Sequence, residues 1–97
     1  MSESINGRSI ADILKRIIYD DLEVSNVSGW AYCGNIAITV GGYEIQFFID
    51  CDELDYVDNA TDRDGNVVGY GDFERNPMDF LTGIEKDKLT DIIRGIA

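Results

Sequence analysis

The chain contains no histidine. Ser-His-Asp and Cys-His nucleophile pairs are therefore excluded, as are zinc sites that rely on imidazole. The side chain best suited to proton transfer near neutral pH is missing too. Basic residues are scarce: eight Lys and Arg stand against 19 Asp and Glu, for a net charge of −11. A field of that sign repels nucleic acid and anionic membranes, and favours basic protein surfaces on encounter. No apolar run reaches the length of a membrane span. The opening "MSESINGRS" lacks the basic and then apolar pattern of a secretory signal. A cytoplasmic protein is expected. The two cysteines, Cys33 and Cys51, form no C-x-x-C pair and cannot close a zinc site. No Gly-rich phosphate loop is present, because "GYGDF" has neither the spacing nor the lysine. With these parts missing, no enzymatic activity and no cofactor are expected.

What remains suffices for one folded domain. Ninety-seven residues, 44% of them apolar, can bury a single core and exceed the apolar content of disordered chains. Residues 1–8 are expected to be flexible. Ile10, Ile13, Leu14, Ile17 and Ile18 recur at spacings of three and four, which predicts an amphipathic helix over 9–22 with Ser9 as its cap. "EVSNVSG" (23–29) reads as a linker and "WAYC" (30–33) as a short strand. "NIAITV" (35–40) and "YEIQFFI" (43–49) flank Gly41-Gly42, a two-residue hairpin turn. That turn sets the pairs Val40–Tyr43, Ile38–Ile45 and Ile36–Phe47 on one face, with Ala37, Thr39, Glu44 and Gln46 on the other. If the strands run on without a bulge, Cys33 and Cys51 point to opposite faces. Reduced, half-buried thiols are then expected rather than a disulfide.

Asp64-Gly65 predicts a second hairpin over about 55–62 and 66–71. Asn76 and Pro77 predict a helix start that Gly83 ends. A last helix is expected over 86–94, with Gly95 as its C-terminal cap. The fold class that follows is α+β: an antiparallel sheet of four to five strands, with an N-terminal helix and two short C-terminal helices packed on one face.

The densest chemistry lies in "FFIDCDELDYVD" (47–58), where Asp50, Asp52, Glu53, Asp55 and Asp58 crowd together without a base. An EF-hand reading of "DNATDRDGN" fails, because Ala60 and Gly71 stand where ligands belong. A divalent-cation or small-ligand site built on Asp50, Asp52 and Asp55 is one alternative. Locally, Asp52 and Asp55 suit the cap of a single helical turn, with Leu54 and Tyr56 tucked inward. From Glu44 to Asp79 eleven acids face two bases, a net −9 and most of the total charge. Like charges held close on a folded surface cost stability. This concentration therefore points to a binding role. The expected partner is a basic protein surface, such as a nucleic-acid-binding groove occupied by mimicry of the phosphate backbone. The contact residues expected are Asp50, Asp52, Glu53, Asp55, Asp58, Tyr56, Asp62, Asp72 and Glu74, with Tyr70 or Phe73 as further anchors. A narrower version is a phage or mobile-element inhibitor of the anti-CRISPR kind. An immunity-type or structural partner protein is another alternative.

Trp30, Tyr32 and Gly34, then Phe47 and the run Asp50–Tyr56, then Asp64-Gly65, resemble a family of small uncharacterised bacterial proteins. Its pattern is a Trp-x-Tyr-x-Gly strand, an aromatic strand ending in Asp-Cys-Asp-Glu-Leu-Asp-Tyr, and an Asp-Gly turn. The resemblance covers about 30–66 and implies no activity. Val57 departs from it, since members often carry a cysteine there.

Overall fold

The computed structural model describes residues 6–97. The amphipathic stripe folds as α1 (Gly7–Tyr19), which buries Ile10, Leu14 and Ile17. It starts two residues earlier than expected because Asn6, not Ser9, is the cap. The Asn6 side chain accepts from the Ser9 N–H, and the Ser9 hydroxyl accepts from the Asn6 N–H. Residues 1–5 of the segment expected to be flexible lie outside the described residues; Gly7 and Arg8 are helical.

Five strands follow in the spatial order of the chain: β1 (Val24–Val27), β2 (Gly34–Val40), β3 (Tyr43–Asp50), β4 (Glu53–Thr61) and β5 (Val67–Gly69). Every pairing is antiparallel. The β2–β3 register is the expected one, with Val40, Ile38 and Ile36 opposite Tyr43, Ile45 and Phe47. Gly41 and Gly42 both take positive φ at that turn. Gly42 serves a second purpose: a Cβ there would lie 2.6 Å from Arg63, whose guanidinium donates to the Gly41 carbonyl.

Two neighbouring expectations fail. "WAYC" is not a strand; residues 30–33 form a bent loop. The strand is instead in the supposed linker, where Val24 and Val27 pair with Val40 and Ile38. The apolar content of "WAYC" misled, because Trp30 is held by a side-chain contact and not by a ladder.

After β5 come two short 3-10 turns, Tyr70–Asp72 and Pro77–Phe80, and then α2 (Gly83–Ile96). The expected helix at 76–82 is thus a single tight turn. Gly83 begins a helix rather than ending one, and Gly95 lies inside α2. Thr82 and Glu85 form a reciprocal capping box that fixes this start. The fold is α+β. One cluster joins Ile10, Leu14, Ile17, Leu89 and Ile93 of the helices to Ile36, Ile38, Ile45, Phe47, Ile49 and Val57 of the sheet. Among the described residues, the sheet's other face carries no α-helix. Among the described residues, no helix is long and apolar enough to cross a membrane.

Candidate functional site: the acidic β3–β4 tip

Asp50 ends β3 and Glu53 begins β4, with only Cys51 and Asp52 between them. Both turn residues have positive φ, 53° and 66°. This is a two-residue hairpin of the primed kind, not the expected capped helical turn. Gly favours that backbone most and Asp tolerates it, but Cys does not. Contacts from elsewhere hold it. The Asp52 N–H donates to the Tyr32 carbonyl at 2.8 Å. One Asp52 carboxylate oxygen accepts from the Trp30 indole N–H. The other meets the Arg94 guanidinium of α2 at 2.6 Å. Arg94 also lies over the Trp30 ring, 5.8 Å from its centre. Trp30, Asp52 and Arg94 therefore clip three segments together. Asp52 is one of the residues expected from the sequence, but its two partners lie 22 and 42 positions away and no local pattern signals them.

Two bulges in β4 decide where the other acids go. The register skips Asp55 between Tyr56 and Leu54, and Asp58 between Asn59 and Val57. Leu54 then faces the core as expected, but Tyr56 does not. It stands on the open face opposite Phe48, stacked at 5.2 Å between ring centres, and Tyr70 packs edge-on at 4.7 Å. Phe73 is buried and offers no anchor. Asp58 accepts from the Asn35 amide at 3.0 Å across the open face.

The nine residues expected to meet a partner do not form one patch. Asp50, Asp52, Glu53 and Asp55 converge at the tip, and Tyr56 and Asp58 lie on the open face beside it. Asp62 is at the opposite end of β4, where it accepts from the Asp64 N–H, the Asn66 N–H and the Asn66 amide. The Asn66 side chain, then its backbone N–H, hold the Asp62 carboxyl below its usual range. Asp72 accepts from Gly69 beyond β5. Glu74 lines a separate depression beside Gly7 and Arg75.

Two acids absent from the sequence reading join the tip. A cleft of about 380 Å³ between the tip and α2 is lined by Asp52, Glu53, Asp87 and Asp91 with Arg94. Asp87 and Asp91 are four apart and so share one helix face. Both lie beyond the acidic stretch Glu44–Asp79 and reach the tip only through the fold. Asp50 and Glu53 are direct cross-strand partners. Like charges placed so are destabilising. The Asp50 carboxylate, by its charge and by a hydrogen bond, pushes the exposed Cys51 thiol up; burial and nearby Cys33 act the same way, while Tyr32 opposes. Among the described residues, no three Cys, Asp or Glu side chains converge as a bound cation would need.

A family model described as a domain of unknown function, DUF7693, matches residues 4–95. The chain belongs to the DUF7693 family. The match spans α1, the whole sheet and all but the last residue of α2, so the Trp30–Asp52–Arg94 clip lies inside the DUF7693 domain. No curated protein and no solved structure matches the chain.

Proposed function

We propose that this DUF7693 protein is a non-enzymatic binding protein whose β3–β4 tip enters a basic protein surface of the kind that holds nucleic acid. The observation that carries the reading is the Asp50–Glu53 pair. Two carboxylates directly opposed beside a turn that already bears two positive-φ non-glycine residues lower stability, yet Asp55, Asp87 and Asp91 are added around them. Such a tip has a reason in a partner that supplies the missing positive charge. The Phe48–Tyr56–Tyr70 file beside it offers aromatic faces on which an arginine of the partner stacks.

The test leaves Asp52 intact, because it holds the clip. Asp50→Asn, Glu53→Gln and Asp55→Asn are combined. Basic proteins captured from the native host by the wild type at low salt are expected to be displaced by duplex DNA. They are expected to bind the triple variant about tenfold more weakly, at roughly 0.5 kcal/mol per exposed charge. The variant should melt no lower than the wild type, since it relieves a like-charge pair. Undiminished binding by the triple variant, or indifference to competing DNA, would overturn the proposal.

A further inference from the structure

Cys33 precedes β2 and Cys51 follows β3, so both flank the open end of that hairpin. The expectation that they face apart assumed uninterrupted strands. Gly34, at φ 128°, breaks the alternation on one side, and the positive-φ turn breaks it on the other. The chain on either side is pinned. Gly34 is paired with Ile49, and the Asp52 N–H donates to the Tyr32 carbonyl at 2.8 Å. Those anchors leave one residue on the first chain, Cys33, against two on the second, Asp50 and Cys51, and Cys33 is close enough to Cys51 for its charge to raise that thiol. A disulfide spans Cα separations of roughly 4.4–6.8 Å, and where two residues oppose one, as at a bulge, both stand near the one they face. Both thiols are free and exposed, so an oxidant reaches them without unfolding.

We propose that Cys33 and Cys51 form a reversible intramolecular disulfide when the protein meets hydrogen peroxide. The bond staples the open end of the β2–β3 hairpin to the acidic turn. In the first step the Cys33 thiolate attacks the peroxide oxygen; the O–O bond breaks, and the leaving hydroxide takes a proton to become water. Cys33 is then a sulfenic acid. The Cys51 sulfur attacks it, the S–O bond breaks, and a second water departs. Two thiols and one peroxide become one disulfide and two waters. A dithiol reverses the reaction by exchange. The inference is independent of the basic-partner reading, since it needs no partner.

The experiment treats the dilute, reduced protein with hydrogen peroxide and reads the intact mass, the free thiols and the linked peptides. The expected product is a monomer short of two hydrogens, with peptides joined through Cys33 and Cys51. Its melting temperature should rise by at least about 5 °C, because the bond restrains the unfolded chain. Dithiothreitol should restore the original value. Cys51→Ser should instead accumulate a sulfenic acid at Cys33 that dimedone traps. Its unoxidised melting temperature, matched to the reduced wild type, shows that it folds. Sulfinic acids or inter-chain dimers in the wild type, with no Cys33–Cys51 peptide, overturn the proposal.

Discussion

Asn76 fills a gap at the sheet edge with one side chain. β5 pairs only with Asn59, Ala60 and Thr61, so among the described residues no strand covers the outer edge of β4 beyond them. There the Asn76 amide donates to the Val57 carbonyl at 2.9 Å and its oxygen accepts from the Val57 N–H at 3.0 Å. The same oxygen caps the Pro77–Phe80 turn by accepting from Met78. An amide can do this because it carries a donor and an acceptor side by side, as a peptide group does. Removing it leaves partly buried backbone groups without partners, each costing roughly 1–3 kcal/mol. Asn76→Ala is therefore expected to lower unfolding stability by about 2–3 kcal/mol, measured by urea titration. Asn76→Asp keeps the cap but sets a carboxylate against the Val57 carbonyl, and should also destabilise. A loss below about 0.5 kcal/mol in the alanine variant would show that water replaces the amide at no cost. The Asn-Pro pair was legible as a cap; its bond to a strand 19 residues away was not.

At the scale of elements, the two helices meet through Tyr19 and Glu85. The Tyr19 hydroxyl donates to the Glu85 carboxylate at 2.7 Å, and the same carboxylate accepts from the Thr82 N–H at 2.8 Å. The Thr82 bond first, then Tyr19, hold Glu85 below its ordinary 4.5. The bond to Glu85, then burial, raise Tyr19 above its ordinary 10.0. The signs differ. The Glu85 contribution is full above pH 4.5 and is lost as pH falls through its lowered value. The Tyr19 contribution is full below pH 10.0 and is lost as pH rises through its raised value. Melting temperature should thus form a plateau with an acid and an alkaline limb. Tyr19→Phe should flatten the alkaline limb, and Glu85→Gln the acid one. An alkaline limb unchanged in Tyr19→Phe would assign it to other groups. Thr82 and Glu85 show where the sequence was legible and unused: T-x-x-E is a helix-start pattern, but the adjacent Gly83 reads as a stop. α1 and the Gly41-Gly42 hairpin were legible because period and turn residues agree there. The β3–β4 turn was not, because Cys51-Asp52 carries no local preference for it. Its backbone is imposed by Trp30, Tyr32 and Arg94, and Asp-x-x-Asp imitates a helix cap.

The whole molecule carries a net −11 within principal extents of 37 × 26 × 24 Å. Two electrostatic effects compete over that volume. Attractive pairs such as Arg94–Asp52 and Arg94–Asp91 stabilise the fold, but both are well exposed, and exposed pairs contribute roughly 0–1 kcal/mol. Repulsion acts among all the unmatched carboxylates at once. The screening length is about 30 Å in 0.01 M salt, comparable to the molecule, and about 10 Å in 0.1 M salt. In low salt the charges at the tip, in α2 and along β4 therefore repel one another across the fold, and moderate salt removes most of that interaction while leaving contacts of a few ångströms less affected. Repulsion should win. Raising NaCl from about 10 mM to about 0.2 M at neutral pH is expected to raise the melting temperature by about 3–6 °C. The triple variant at the tip should gain less, because it begins with three fewer charges. Calorimetry in parallel with a neutral osmolyte separates screening from general solute effects. A melting temperature that falls with salt would mean that the ion pairs outweigh the net charge, and the acidic tip would then carry no stability cost for a partner to relieve.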